Sequence, residues 1–181
     1  ADIVVDSSDV TIKAGIVGLF AQSYDEQNDT DYQSSVTVRN STLNITSYDN
    51  AIFSGLGGIA IDNSTVEIES DIYSMYTYGD IVIKGDKTDI LANDYDGINA
   101  DNILKIEGGN FNLTSVSGGL FGYNGVEITG GTMTVSAEDG SAILANNGLL
   151  SITGENTHVN AISNAEDTAT VRNVRDGGIY L

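Results

Sequence analysis

Apolar and polar residues alternate in short runs along the chain, and the runs return at a nearly constant interval. The triplets Val10-Thr11-Ile12, Val36-Thr37-Val38, Ile59-Ala60-Ile61, Ile81-Val82-Ile83, Leu104-Lys105-Ile106, Val126-Glu127-Ile128 and Leu150-Ser151-Ile152 start 26, 23, 22, 23, 22 and 24 residues apart. Alternation inside a triplet marks a strand with one buried face. A fixed period in this range marks a solenoid.

Counting from the first residue of each triplet, position four holds Ala14, Asn40, Asn63, Gly85, Gly108, Gly130 and Gly154. Six of these seven are Gly or Asn, the residues that enter the left-handed region most cheaply, so they read as a ladder of bends. Positions seven and nine alternate again, from Val17/Leu19 through Leu43/Ile45, Val66/Ile68, Thr88/Ile90, Phe111/Leu113 and Met133/Val135 to Thr157/Val159. A small residue follows at position eleven (Ala21, Ser47, Ser70, Ala92, Ser115, Ala137, Ala161), where the backbone turns over the core. A third strand comes after an Asp- or Gly-rich bend, as in Asp96-Gly97-Ile98-Asn99-Ala100. The pattern predicts an all-β fold: a right-handed parallel β-helix of about seven to eight coils of 22–24 residues, with three short strands per coil. An antiparallel sandwich also yields short strands between turns, but it does not require equal spacing or aligned Gly/Asn positions.

One domain is expected over 1–181, with a polar, aperiodic loop insertion at 22–34 and a last partial coil at 169–181. Neither end carries an amphipathic helix to cover its strand edges. A strand-like cap, a cut from a longer chain and end-to-end association all remain open.

The chain has no Cys and no Pro, so disulfides and thiolate metal sites are excluded, and the turns fall to its 21 Gly and to Asn and Asp. Its 26 acidic residues against 7 basic ones leave a net charge of -19. Such a surface repels nucleic acid and anionic lipid and attracts divalent cations. No apolar run is long enough for membrane insertion as a spanning helix. Ala1 is compatible with a removed secretory leader, and a secreted or cell-surface, bacterial-like location is expected.

Three outward patterns carry candidate chemistry. Asp49, Asp94 and Asp139 recur at one offset but two coils apart, too far to share an ion. Adjacent coils instead offer Asp71, Asp94 and Asp96 as calcium ligands, with Glu138 and Asp139 as a second cluster. If Ile52, Met75, Ile98, Leu120 and Ile143 point inward on the third strand, then Phe53, Tyr76, Asn99, Phe121 and Leu144 point out. Tyr78 and Tyr123 lie two residues further along. Phe53, Tyr76, Tyr78, Asn99, Phe121 and Tyr123 are therefore the expected carbohydrate- or partner-binding residues. The third pattern is a charged strip at position three, Lys13, Arg39, Asp62, Lys84 and Glu107, which alternates in sign from Arg39 onward and reads as tuning of a solvated face.

A catalytic centre is not expected. His158 is the sole histidine and has no evident partner. Lyase chemistry needs a basic residue near the bound uronate and hydrolysis needs clustered carboxylates. Apart from Lys87, the basic residues lie away from the acidic bends, and a lyase is the minor alternative.

The stretch Asp94-Tyr95-Asp96-Gly97-Ile98-Asn99-Ala100, followed by Asn102-Ile103-Leu104-Lys105-Ile106-Glu107-Gly108-Gly109, resembles a repeat of the secreted bacterial carbohydrate-binding β-helix family, which is similar in fold to pectate lyases. Glu138-Asp139-Gly140-Ser141-Ala142-Ile143-Leu144-Ala145 and Val126-Glu127-Ile128-Thr129-Gly130-Gly131 echo it. The resemblance implies a cell-surface or secreted, non-catalytic protein that binds acidic polysaccharide with calcium, with Asp71, Asp94 and Asp96 as metal ligands. The alternative is a surface-fibre or adhesin subunit whose partners are copies of itself, joined end to end or by side docking.

Overall fold

The computed structural model describes residues 1–25, 30–31, 33–165 and 171–173, with the backbone alone at 24–25, 30–31 and 171–173. Residues 26–29 and 32 of the expected insertion, and 169–170 and 174–181 of the expected last coil, lie outside the described residues. The chain forms an all-β parallel β-solenoid of about six turns, with no helix among the described residues.

Three faces make each turn. The first stacks Ile3–Asp6, Ser35–Arg39, Gly58–Asp62, Ile81–Lys84, the starts of Ile103–Gly122 and Gly125–Ala137, and Leu149–Ile152. The second stacks Asp9–Ala14, Thr42–Ser47, Thr65–Ser70, the first half of Asp89–Ala100, the middle of Ile103–Gly122, the end of Gly125–Ala137 and Thr157–Ser163. The third stacks Leu19–Ala21, Ile52–Ser54, Tyr73–Thr77, the ends of Asp89–Ala100 and Ile103–Gly122, Ile143–Ala145 and Val171–Asn173. Identical inward positions form continuous columns, such as Val36, Ile59, Ile81, Leu104 and Val126, each at most 2% exposed. Burying one such side chain stabilises the fold by about 1.5–3 kcal/mol.

Two registers differ from expectation. Val10-Thr11-Ile12 belongs to the second face, paired with Leu43–Ile45, while Ile3–Val5 begins the first face opposite Val36–Val38. The first step is therefore 33 residues, from Ile3 to Val36. The excess is the insertion, which carries a small antiparallel pair, Tyr24–Asp25 with Thr30–Asp31. Leu19 accordingly lies on the third face. Because Ile3–Val5 takes the place of Val10-Thr11-Ile12, the first face still stacks seven strands, which make about six turns and not the seven to eight coils expected.

The second correction is in the turn between the first and second faces. Gly85-Asp86-Lys87-Thr88 and Gly154-Glu155-Asn156-Thr157 are built alike: the Gly is left-handed (φ 95° and 103°), and the Thr N–H donates to the Gly carbonyl. In each, the Thr hydroxyl also bonds the residue before the Gly. These turns run two residues longer than their neighbours, so the inward pairs are Ile90/Ala92 and Val159/Ala161. The bend ladder itself runs through Ser7, Asn40, Asn63, Gly85, Gly109, Gly131 and Gly154, all at positive φ. Ala14 is not in it, and the second Gly of each Gly-Gly pair takes the left-handed role.

The charged strip gains a member and loses one. Lys13 pairs with Thr46 on the second face. Asp6 opens the strip on the first, 2.8 Å from Arg39, and Asp62 lies 3.8 Å from Lys84. The signs thus alternate from Asp6 to Glu107, although pairs this exposed add little to stability.

Candidate functional site

The third face has the most distinctive chemistry. Its inward column is Leu19, Ile52, Met75, Ile98, Leu120 and Ile143. Parallel register places the next residue of each strand outward, in one line: Phe20, Phe53, Tyr76, Asn99, Phe121 and Leu144. The rings of successive turns touch. Phe20 stacks on Phe53 at 5.1 Å, and Phe53 meets Tyr76 and Tyr78 edge-on at 5.7 and 5.5 Å. Tyr73 stacks on Tyr76 at 5.0 Å. Phe53 is only 6% exposed because other rings cover it, whereas Phe20 is 53% and Tyr78 36% exposed. The expected row is thus a packed aromatic platform whose accessible surface is supplied largely by its ends.

Local structure explains the placement of Tyr78. The buried Thr77 hydroxyl donates to Gly55 O at 2.7 Å and accepts from Gly79 N–H at 3.0 Å. This fixes the turn that leaves Tyr78 on the outer side beside Tyr76. Ser54 does the equivalent one turn earlier, donating to Ser34 O.

Carboxylates surround the platform. The Tyr76 hydroxyl donates to Asp101 Oδ2 at 3.2 Å, and Tyr73 pairs in register with Asp96. Burial, then the Asp101 charge and hydrogen bond, raise the Tyr76 phenol well above the ordinary tyrosine range. Burial, then Asp96, Asp101 and Asp49, raise Tyr73. Beyond the rings, Asp96, Asn99, Ser117, Phe121, Ser141 and Leu144 line a dimple of about 150 Å³. That is room for a few waters of about 30 Å³ each or for one ring substituent. Phe121 and Tyr123 continue the outer surface there, and Tyr123 is 44% exposed.

The five residues expected to hold a metal stand in different surroundings. Asp71, Glu138 and Asp139 are exposed on bends, and Asp96 is half-buried where Asp89–Ala100 enters the third face. Asp94 faces inward. The two extra residues in the preceding turn carry it from the bend to the small-residue position, between Ser70 and Ser115. It is 8% exposed, takes a hydrogen bond from the Ser74 hydroxyl at Oδ2, and has no partner at Oδ1. Burial pushes its carboxyl up to about 7, opposed by the Ser74 bond and assisted by the Asp96 charge. Among the described residues no three of His, Cys, Asp and Glu are grouped to hold a metal ion.

Residues 62–181, about two-thirds of the chain, match the family described as carbohydrate-binding domain-containing protein. The chain belongs to this family. No curated protein and no solved structure matches. The carbohydrate-binding domain family match spans Tyr73, Tyr76, Tyr78, Asn99, Asp101 and Phe121, while Phe20 and Phe53 precede it.

Two platform residues escaped the sequence reading. Phe20 was displaced by the misplaced first triplet, although Leu19-Phe20-Ala21 repeats the apolar-aromatic-small pattern of Ile52-Phe53-Ser54. Tyr73 lies before the inward Met75 at the entry to its strand, where the bend lets its ring fold over Tyr76. A larger hollow than the dimple, about 690 Å³, lies elsewhere, at the corner of the first and second faces beside Ser7, Asn40, Asn63 and Lys87. Its serine hydroxyls serve the turns: Ser41 Oγ accepts from Ser8 N–H and donates to Arg39 O.

Proposed function

We propose that this carbohydrate-binding domain family member is an extracellular, non-catalytic polysaccharide-binding protein and that its third face is the binding surface. The observation that carries this reading is the line Phe20, Phe53, Tyr76 and, past Asn99, Phe121, repeated at the solenoid rise of about 4.8 Å. The C–H faces of pyranose rings are apolar and pack on aromatic rings, while their hydroxyls need polar partners at the edge. Asn99, Asp96, Asp101 and Ser141 stand at that edge. A flat, repeating strip suits an extended polymer better than a single small molecule.

Binding without turnover fits the same surface. Lyase chemistry needs a base near the bound sugar, and among the described residues the basic one on the third face is Arg172, in register one turn beyond Leu144 and two beyond Phe121. His158 is exposed on the second face. An anionic polysaccharide would need calcium to bridge it to this acidic surface, whereas a neutral or basic one would not. Affinity electrophoresis through gels containing neutral, acidic and basic polysaccharides, with calcium or with chelator, tests the proposal. Retardation by at least one polymer is expected. No retardation by any of them in either condition overturns it.

A further inference from the structure

The corner between the second and third faces carries side chains that the platform does not use. Four successive turns each present one large apolar residue there, Ile16, Tyr48, Ile72 and Tyr95, from 37% to 67% exposed. Apolar side chains scattered singly over a surface need no explanation, but an aligned run of them marks a surface that binds. Neither tyrosine makes a hydrogen bond or a ring contact with the described residues. Tyr48 follows Ser47 and Tyr95 follows Asp94, and Ser47, Ser70 and Asp94 occupy one column. The two rings therefore leave the corner two turns apart, about 9–10 Å along the axis. Asp71 follows Ser70 in the turn between them and is exposed.

The opposite corner, where the third face meets the first, repeats this arrangement. Thr77, Ala100 and Gly122 are in register, so the residues that follow them, Tyr78, Asp101 and Tyr123, form one column. Each edge of the third face thus carries two exposed tyrosines two turns apart, with an aspartate in the turn between. Two sugar rings of an extended, equatorially linked polysaccharide span much the same length, and in such a chain every second ring presents the same side. Those rings pack on the tyrosines, and hydroxyls of the ring between them meet the aspartate. The match is one of length and facing and makes no use of charge. The third-face part of strand Asp89–Ala100, from Tyr95 to the Asp101 that follows it, spans on the order of 15–20 Å when extended. One chain lying along the axis is too narrow to touch both corners.

Building on the carbohydrate-binding role of the third face, we infer that the corner of the second and third faces is a second glycan site, made by Tyr48, Asp71 and Tyr95 on the apolar ridge. Its ligand is an extended polysaccharide lying along the solenoid axis with alternate rings facing the same way. A helical polymer, whose rings turn progressively, brings only one ring to a tyrosine. Tyr78 and Tyr123 belong to the platform's own site at the other edge. The protein then holds two chains, or two neighbouring strands of one bundle, and joins them, which the platform alone does not do.

Calorimetric titration of the whole chain with hexasaccharides tests this. The extended probes are β-1,4-linked mannohexaose and hexagalacturonate with calcium, and α-1,4-linked maltohexaose is the helical control. Two molecules of an extended probe are expected to bind per chain. Tyr48→Ala with Tyr95→Ala should reduce this to one without changing the affinity of the site that remains, and Phe20→Ala with Tyr78→Ala should spare the corner site. Tyr48→Ala or Tyr95→Ala alone should weaken the corner site by about threefold to tenfold. The full-length polymer should gain viscosity when mixed with the wild type and not with the corner double variant. Both tyrosines are exposed, so the melting temperature of that variant should match the wild type. One hexasaccharide per chain, indifferent to Tyr48→Ala and Tyr95→Ala, overturns the second site and leaves the platform's role standing. Maltohexaose bound at the corner as tightly as the extended probes overturns the match of length and facing. Self-association of the unliganded chain in sedimentation, abolished in the corner double variant while sugar binding is unchanged, makes the ridge a protein interface and also overturns the site. If no probe binds anywhere, the second site falls, and gel retardation decides the platform's role separately.

Discussion

Replacing Asp94 by Ser should stabilise the solenoid at neutral pH and remove part of its pH dependence. The flanking residues in the column are Ser70 and Ser115, both buried, so a hydroxymethyl group fits the corner. Asp94 puts a carboxyl there instead, with Oδ1 unpartnered and Oδ2 taking the Ser74 hydroxyl. Burial pushes its pKa up to about 7 in the fold, against 3.8 for an ordinary Asp. A difference of about three pH units is worth about 4 kcal/mol at 1.36 kcal/mol per unit. Because the folded pKa is the higher one, the folded state holds a proton that the unfolded state has lost. Stability therefore falls as pH rises from about 4 through about 7 and levels off above that. About 2.5 kcal/mol of the loss falls between pH 5 and 8. Urea unfolding of both proteins at the two pH values measures this, with tyrosine fluorescence as the probe, since the chain has nine Tyr and no Trp. The advantage of Asp94→Ser should grow by about 2–3 kcal/mol from pH 5 to pH 8. An advantage that stays constant across that range, or a variant less stable at pH 8, refutes the reasoning.

Other consequences follow from single contacts. Phe53→Ala removes the ring at the centre of the platform and should cost about 3 kcal/mol in the same urea assay. Gly97→Ala should prevent folding or cost several kcal/mol, because a Cβ there overlaps the Gly119 carbonyl of the next turn; Gly15→Ala, with nothing within 4 Å, is the matched control, and thermal melts distinguish the two. Gly85→Ala places a Cβ 2.5 Å from Asn63 Oδ1 at φ 95°, so it should lower the melting temperature while Asn63→Gly, at φ 45°, changes it little. Arg39→Ala breaks the 2.8 Å pair with Asp6 yet should leave the melting temperature nearly unchanged, because both partners are solvent-exposed.

The fold was legible because a parallel solenoid repeats its buried positions. Wherever turns have equal length, an inward residue such as Ile59, Ile81 or Leu104 announces itself by spacing alone. Spacing misleads wherever a turn changes length. The two extra residues between Gly85 and Thr88 preserve the alternation of strand Asp89–Ala100, so the shift leaves no trace in the polar pattern. Asp94 for that reason looked like a bend residue facing solvent and is instead a buried carboxyl. The insertion hid the first turn in the same way, and Phe20 with it. The outward row Phe53, Tyr76, Asn99 and Phe121 was readable because its inward neighbours Ile52, Met75, Ile98 and Leu120 are unambiguous. That Phe53 is covered by other rings was not readable, since ring packing depends on side-chain direction and not on register. The placing of acidic residues around the platform emerged only once every strand had been assigned to a face.

Aromatic-resolved NMR titration with the oligosaccharide that binds best tests the role of the third face most directly. Ring resonances of Phe20, Tyr76, Tyr78 and Phe121 should shift together and saturate at one affinity, with methyls on the other faces, such as those of Val82 and Leu91, unmoved. Phe20→Ala combined with Tyr78→Ala should abolish the response while leaving the fold intact, because both rings are substantially exposed. Saturable shifts at Leu91 or Val82 with silent third-face rings would contradict the assignment of the binding surface.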